Sequence, residues 1–366
     1  MRNHTWYPAR FTEKNMMQLL ELRRLQYGDT EFVQTEYIRW QLAENPAGRA
    51  ISWLALASED NVLGEYWIAP VKFKINKATY LGSVGANALV HPAHRGRKIF
   101  TVLGKRCSED CVERLIKFTL YIPNQVSLRG LVRKLKCKDL GAIKFLIYPI
   151  DIHKLAEYRF QGKLSQRLAL HALRIFFLLA MRKERQKIDN LSIGLTSISS
   201  FDRDFDALWN RIKDKYPCIA VRDSVFMNWR YARIPMRKYS ILLAKGGNRI
   251  VGYLISRSAT VLGIKSSFIV DFLFESSTLG WAAGHSLVDA TIEKFKKEES
   301  HLVCCLSLPH TEEYRLLKSH GFFTCPEIFK PHPFHLVAQV HDKTVERKYL
   351  DNLKHWYWSL GDYDVV

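Results

Sequence analysis

The chain has 366 residues, 47% hydrophobic and 12% aromatic, which exceeds the usual span of one core, points to about two domains and excludes a disordered chain. Its 55 Lys and Arg against 36 Asp and Glu leave a net charge of +19, which attracts polyanions without choosing between a coenzyme, a nucleotide-sugar, RNA and anionic lipid. Seven scattered cysteines, with no CxxC pair and no cleavable leader, exclude a disulfide framework and suit reduced, buried thiols in the cytoplasm.

In chain order, 6–10 reads as a short strand, and Thr12 stands as N-cap to an amphipathic helix over 13–25. A second helix over 35–43 stops before Pro46. Segments 51–57, 62–73 and 79–90 read as consecutive antiparallel strands, with Asp60-Asn61 and Asn76-Lys77 supplying the turns. The third strand ends at Pro92, which has no ladder donor, and Gly96 permits the turn that follows. From Ile99 onward Val102, Leu103, Val112, Leu115 and Ile116 recur at helical spacing. A strand, a basic turn and a helix N-terminus make an anion cradle, because the first helical N–H groups lack intrahelical acceptors and the dipole favours negative charge. Arg95, Arg97 and Lys98 add formal charge there, and a pyrophosphate is expected at this turn. A strand over 118–122, a helix opening at Asn124 and a closing strand over 142–150 complete the first half.

The segment Val90-His-Pro-Ala-His-Arg-Gly-Arg-Lys-Ile-Phe100 resembles the acetyl-CoA-binding motif of the GNAT acyltransferase superfamily, V-x-P-x-x-R-G-x-G-I-G. It matches at Val90, Pro92, Arg95, Gly96 and Ile99, and departs at Ala93 and at Lys98, where the family usually has Gly or Ala. The element order is also that of the family. The resemblance implies an α/β (mixed-sheet α+β) GNAT-like fold, acetyl-CoA as cosubstrate and no metal. It places the thioester against the amides of Leu89 or Val90 and the phosphates on His94, Arg95, Gly96, Arg97, Lys98 and Ile99. Asn124 and Ser127 would touch the coenzyme arm, although Asn124 also reads as an ordinary helix N-cap.

Catalysis by this family needs a base for the incoming amine and an acid for the leaving thiolate. His91, at the strand end, is the candidate base, and its bland reading is a cap on that strand. Asn87 is a further strand candidate, as are Glu65, Asp271 and Glu275. The family's acid is a tyrosine early in the helix after the fifth strand. Here that helix carries none, and Tyr121 sits one element too early.

The second half repeats the first. Trp40-Gln-Leu-Ala43 and Pro46 return as Trp229-Arg-Tyr-Ala232 and Pro235, and Leu63-Gly64 returns as Val251-Gly252. Two tandem GNAT-like domains follow: 1–152 with the motif, a basic linker helix over 153–190, a degenerate copy over 191–342 and a tail over 343–366. The copy has Ser276-Ser-Thr-Leu-Gly-Trp281 where the first half has its basic turn. Within 222–239, Arg222-Asp-Ser-Val-Phe-Met-Asn-Trp-Arg-Tyr231, Pro235 and Tyr239 resemble tandem GNAT proteins of bacterial polysaccharide gene clusters. With Pro123-Asn124 and Ser127 this implies N-acetyl transfer to an amino-sugar or another small-molecule or sugar-linked amine. The apolar run 168–181 is shorter than the roughly 20 residues that span a bilayer. Its basic surroundings, 163–187, suit either a packed linker or a helix on the anionic inner face of a membrane. No specific nucleic-acid partner is expected. The competing readings are a Fem-type aminoacyl-tRNA-dependent transferase and a non-catalytic GNAT-like scaffold.

Overall fold

The computed structural model describes residues 6–57, 61–159, 191–261, 263–326 and 333–363. Most of the expected linker, including 163–187, therefore lies outside the described residues. No helix among the described residues is long and apolar enough to cross a membrane.

The first stretch holds β1 (Trp6–Arg10), α1 (Met16–Tyr27), α2 (Thr35–Ala43), β2 (Ile51–Ala57), β3 (Val62–Ile75) and β4 (Ala78–Val90). Next come α3 (Ile99–Glu113), β5 (Phe118–Tyr121), α4 (Gln125–Lys134), β6 (Lys138–Pro149) and α5 (Ile152–Arg159). Beyond residue 190 lie β7 (Gly194–Ile198), α6 (Arg203–Ile212), β8 (Cys218–Ala220), α7 (Ser224–Met227), β9 (Ser240–Gly246), β10 (Arg249–Val261) and β11 (Ile264–Phe274). The chain closes through α8 (Thr278–Lys297), β12 (Leu302–Ser307), α9 (Glu312–Ser319), β13 (Phe323–Thr324), β14 (Phe334–Val340) and α10 (Arg347–Leu350). Thr12 caps a 3-10 turn, Glu13–Asn15, so α1 begins three residues later than its periodicity suggests.

Two compact units take residues from both halves of the sequence. The first comprises Met1–Ala142, Tyr216–Arg237 and His332–Trp356, and the second Ile143–Lys215, Lys238–Pro331 and Tyr357–Val366. The limits expected from the repeat, 1–152 and 191–342, follow sequence similarity, whereas compactness divides the chain differently.

In the first unit β1, β2, β3 and β4 are antiparallel neighbours, β5 runs parallel to β4, and β14 is antiparallel to β5. In the second, β7, β9, β10 and β11 are antiparallel neighbours, β12 runs parallel to β11, and β6 is antiparallel to β12. The same order thus occurs twice, and each closing strand comes from the opposite half of the sequence. The expectation that 142–150 closes the first sheet is corrected: β6 pairs with β12 from Leu302↔Pro149 to Ser307↔Lys144, and β14 takes the place beside β5. Both strands are short apolar runs, and such runs carry no signal for which neighbour they join.

The first unit's sheet is covered on both faces. Ile99, Leu103 and Cys107 of α3 and Leu131 of α4 pack with Tyr66, Ile68 and Tyr121 on one face. Leu19, Leu20 and Leu22 of α1 and Ile38 and Leu42 of α2 pack with Leu54, Trp67 and Leu89 on the other. All seven cysteines are buried thiols, and burial pushes Cys218 up to about 12. Trp40 and Trp229, which the repeat aligns, stack with centroids 4.7 Å apart at 17°. Each indole N–H donates to the other's backbone carbonyl, at 3.0 and 3.4 Å. Trp229→Ala should lower stability by ~3–5 kcal/mol in chemical denaturation; a loss below about 1 kcal/mol would show that the site collapses to fill the gap.

Candidate active site

The site begins where β4 leaves its neighbour. Along β3 the pairing runs to Gly64↔Val90, but the register shifts where Trp67 faces Asn87 and Ile68 faces Gly85. Ala86 is the extra residue of this β-bulge, which adds local twist. On its other side β4 pairs with β5 only at Ser83↔Thr119 and Val84↔Leu120. Beyond Gly85, among the described residues, no hydrogen bond from outside the β3–β4 ladder reaches the backbone up to Val90. A strand edge of this kind holds donors and acceptors ready for an extended, amide-bearing ligand.

The wedge opens onto the basic turn. His91 N–H donates to Leu63 O at 2.8 Å, and His91 Nδ1 accepts from Ala93 N–H at 3.2 Å, capping the short helix Pro92–His94. With that lone pair engaged, the neutral ring carries its proton on Nε2. Gly96 has φ +82°, and nothing lies within 4 Å of the Cβ it lacks, so the backbone there is open to approach. Lys98 also has a left-handed backbone, φ 62° and ψ 7°, and its side chain does not cap α3. The first-turn N–H groups of α3 therefore keep their free direction. Arg95, Arg97 and Lys98 are exposed and enter no ion pair among the described residues. Ile99 beneath the turn is 2% exposed, and its Cγ2 would lie 2.8 Å from a Cβ at Gly64; the missing side chain lets α3 sit against the sheet.

Two polar networks flank the bulge. On the α1 face, Glu65 is fully buried and takes both oxygens to Arg23, with Nε–Oε1 and Nη2–Oε2 at 3.0 Å. Asn87 Nδ2 donates to Glu65 Oε1 at 2.7 Å, and Tyr27 O–H donates to Asn87 Oδ1 at 2.8 Å. Burial pushes the Glu65 carboxyl up while the Arg23 charge opposes it. On the α3 face the ring of Tyr121 lies against Gly85, where a Cβ would fall 2.2 Å from the ring. Tyr121 O–H donates to Gln339 Oε1 of β14 at 3.2 Å. Burial pushes the Tyr66 and Tyr121 phenols well up, so both stay neutral across the physiological range. At the far side of the wedge Asn124 accepts from Ser127 N–H at 2.9 Å, as an N-cap of α4, leaving its amide donors to solvent.

The structure thus gathers Asn87, Leu89, Val90, His91, His94, Arg95, Gly96, Arg97, Lys98 and Ile99 along one strand end and turn, with Tyr121 on the adjacent strand and Asn124 and Ser127 opening the next helix. Sequence reasoning missed Arg23, Tyr27 and Gln339. Arg23 had only its place on the expected helix 13–25 as a signal, Tyr27 lay past that helix's expected end, and Gln339 had no signal.

The second unit carries the same split in altered form. Its bulge residue is Val270, between Ile255↔Asp271 and Ser256↔Ile269, and β11 pairs with β12 only up to Phe268↔Cys304. Here the opening is filled: Tyr357 O–H donates to Phe272 O at 2.6 Å, and Ser359 Oγ reaches Asp271 Oδ1 at 3.3 Å. In place of the basic turn, Glu275 is held by Arg211 at 2.6 Å and Arg249 at 3.1 Å, and Ser277 caps α8 through Gly280 N–H.

Neither a protein-family model nor a curated protein matches the sequence. The structure is similar to that of a GCN5-related N-acetyltransferase from Anabaena variabilis, with a TM-score of 0.62 at 14% identity, covering 92% of this chain and 73% of that one. It is also similar to Saccharomyces cerevisiae N-myristoyltransferase with bound myristoyl-CoA, with a TM-score of 0.63 at 12% identity, covering 93% and 83%. A conserved protein of unknown function from Enterococcus faecalis matches with a TM-score of 0.60 at 11% identity, covering 92% and 73%. At these identities the likeness establishes the fold, which is the tandem GNAT-like acyltransferase fold.

Two outcomes follow from this geometry. Lys98→Gly removes a left-handed non-glycine residue costing ~1–2 kcal/mol and adds glycine's entropy cost of ~0.5–1 kcal/mol, so thermal denaturation should show a small net stabilisation. Arg23→Ala leaves Glu65 buried without its cation and should cost ~3–5 kcal/mol. A carboxyl raised by burial binds more protons folded than unfolded, so stability falls as pH rises above its ordinary range. The variant's deficit should therefore be larger at about pH 8 than at about pH 4, measured by denaturation at both; an equal deficit would contradict the burial argument.

Proposed function

We propose that this chain is a CoA-dependent acyltransferase that moves an acetyl group from acetyl-CoA to an amine. The observation that supports it most directly is the open edge of β4 beyond Gly85, leading to an uncapped helix N-terminus ringed by Arg95, Arg97 and Lys98. The coenzyme's amide-bearing arm would pair with that edge, and its phosphates would lie on the N–H groups of Arg95 to Ile99. The thioester carbonyl then meets a backbone N–H at Leu89 or Val90, which stabilises the oxyanion formed as the amine attacks.

Proton movement is constrained by the side chains. His91 uses its acceptor nitrogen to hold the turn, and Asn87 has both ends of its amide engaged, so the amine's proton leaves through water rather than through either. Tyr121, which burial pushes well above its usual range, stays a neutral donor to Gln339 more readily than it gives up its proton. The acceptor we assign is an amino-sugar or related sugar-linked amine, on the resemblance carried by 222–239. The bound coenzyme of the yeast neighbour supports an acyl-CoA in general.

Calorimetry with acetyl-CoA tests the reading. Wild type should bind, Arg95→Ala should lose about 1.5–3 kcal/mol of affinity, and Gly96→Val should abolish binding while the fold persists by circular dichroism. If Lys98 pairs with phosphate, Lys98→Gly weakens binding and flattens its salt dependence; tighter binding would identify Lys98 as an obstruction. A wild-type chain that binds no acetyl-CoA would overturn the proposal in favour of a scaffold.

A further inference from the structure

The second unit holds a groove of about 710 Å³, away from its filled strand split, that the reading above does not use. That volume falls within the range of small-molecule sites, roughly 300–1,000 Å³. Its cations come from four separate places in the fold: Lys238 ahead of β9, Arg257 on β10, Lys265 on β11 and Lys294 on α8. A charge run on one helix face would need no explanation, but convergence from four places is a property of the fold. One carboxylate, Glu298, shares the groove and is already occupied, accepting from Ser258 Oγ at 2.7 Å and facing Lys294 Nζ at 3.6 Å. Lys238 and Lys265 enter no ion pair among the described residues, so the groove carries a surplus of positive charge.

The wall supplies a second, independent sign. Ser240 and Ser256 face each other across the β9–β10 ladder, and both line the groove. Ser256 is only 2% exposed as a residue and lines the groove, and its hydroxyl makes no hydrogen bond to a described residue. A hydroxyl on a groove wall without a protein partner is available to donate to an acceptor that enters the groove. An acceptor that bonds a serine O–H and is attracted by lysine and arginine is a phosphoryl oxygen or a close equivalent.

We propose that this groove is a second ligand site, for a small molecule bearing a phosphoryl group. Lys238, Lys265 and Arg257 would supply the charge and Ser256 a directed hydroxyl. The site is distinct from the turn at Arg95 to Lys98 and does not depend on coenzyme binding there.

The test uses the full chain with inorganic pyrophosphate as probe, in an Arg95→Ala/Arg97→Ala background so that the turn contributes little. Calorimetry should show one pyrophosphate per chain. Adding Lys238→Gln/Lys265→Gln should weaken it by about ten-fold or more, and Ser256→Ala by several-fold, with the melting temperature unchanged. Lys296→Gln/Lys297→Gln, on the same helix but outside the groove, should change affinity by less than about two-fold. No binding in the background variant, or an equal loss from the control pair, would overturn the proposal. So would single-stranded RNA that binds more tightly than pyrophosphate and is not displaced by it. Acetyl-CoA affinity, measured in parallel with the turn intact, should not respond to the groove substitutions, so either reading can fail without the other.

Discussion

A strand that parts from its neighbour leaves backbone donors and acceptors that must be satisfied by water, by chain or by ligand. That constraint governs both units. Each has a bulge at the same register, Ala86 in one and Val270 in the other, two residues beyond its last pair with the parallel partner. In the second unit the chain answers with its own side chains, since the Tyr357 hydroxyl reaches Phe272 and Ser359 reaches Asp271. In the first unit the equivalent edge, two residues past the bulge at Ala88, is left to whatever enters the wedge. The closed edge of the second unit thus rests on one tyrosine hydroxyl placed against the Phe272 carbonyl, with Ser359 holding the neighbouring Asp271 carboxylate.

The repeat explains why the two copies keep the same skeleton under so little shared sequence. Gly64 and Gly252 occupy equivalent ladder positions opposite Val90 and Phe274, and each is hemmed in by the element that packs there. A Cβ at Gly64 would meet Ile99 and at Gly252 would meet Phe274, so glycine is retained where helix, strand and turn converge. The matched tryptophans are kept for a different reason: Trp40 and Trp229 stack on each other, and their N–H groups are satisfied reciprocally.

Local signals made much of this legible. Alternation and turn residues mark β1 through β5 to within a few residues, and Pro92, Gly96 and the spacing from Ile99 mark the turn. What stayed hidden is long-range. Arg23 lies 42 residues from Glu65, and Gln339 lies 218 from Tyr121; neither pairing leaves a mark in periodicity. The identity of the closing strands was hidden for the same reason, because 142–150 and Phe334–Val340 have the burial and length either sheet would accept. The left-handed backbone at Lys98 was half legible: the glycine expected there signals a positive φ, and the lysine keeps that conformation at a cost in strain.

The electrostatics of the two helix N-termini then separate what each unit can bind. At α3 the dipole and three cations that enter no ion pair among the described residues act in the same sense, toward an anion. At α8 the same position is closed sterically and electrically. A Cβ on Gly280 would sit 1.9 Å from the Glu275 carbonyl, Ser277 takes the first-turn amide, and Glu275 has already drawn Arg211 and Arg249 to itself. A phosphate at α8 would have to displace a buried carboxylate with two arginine partners, which costs more than the dipole returns. Positive charge in the second unit is instead concentrated where Lys238, Arg257, Lys265 and Lys294 meet, beside the C-terminal half of α8 rather than its N-terminus. In this unit the lysines and arginine of the groove thus gather near the C-terminal end of the helix whose N-terminus is closed, and there they present side-chain charge rather than backbone amides.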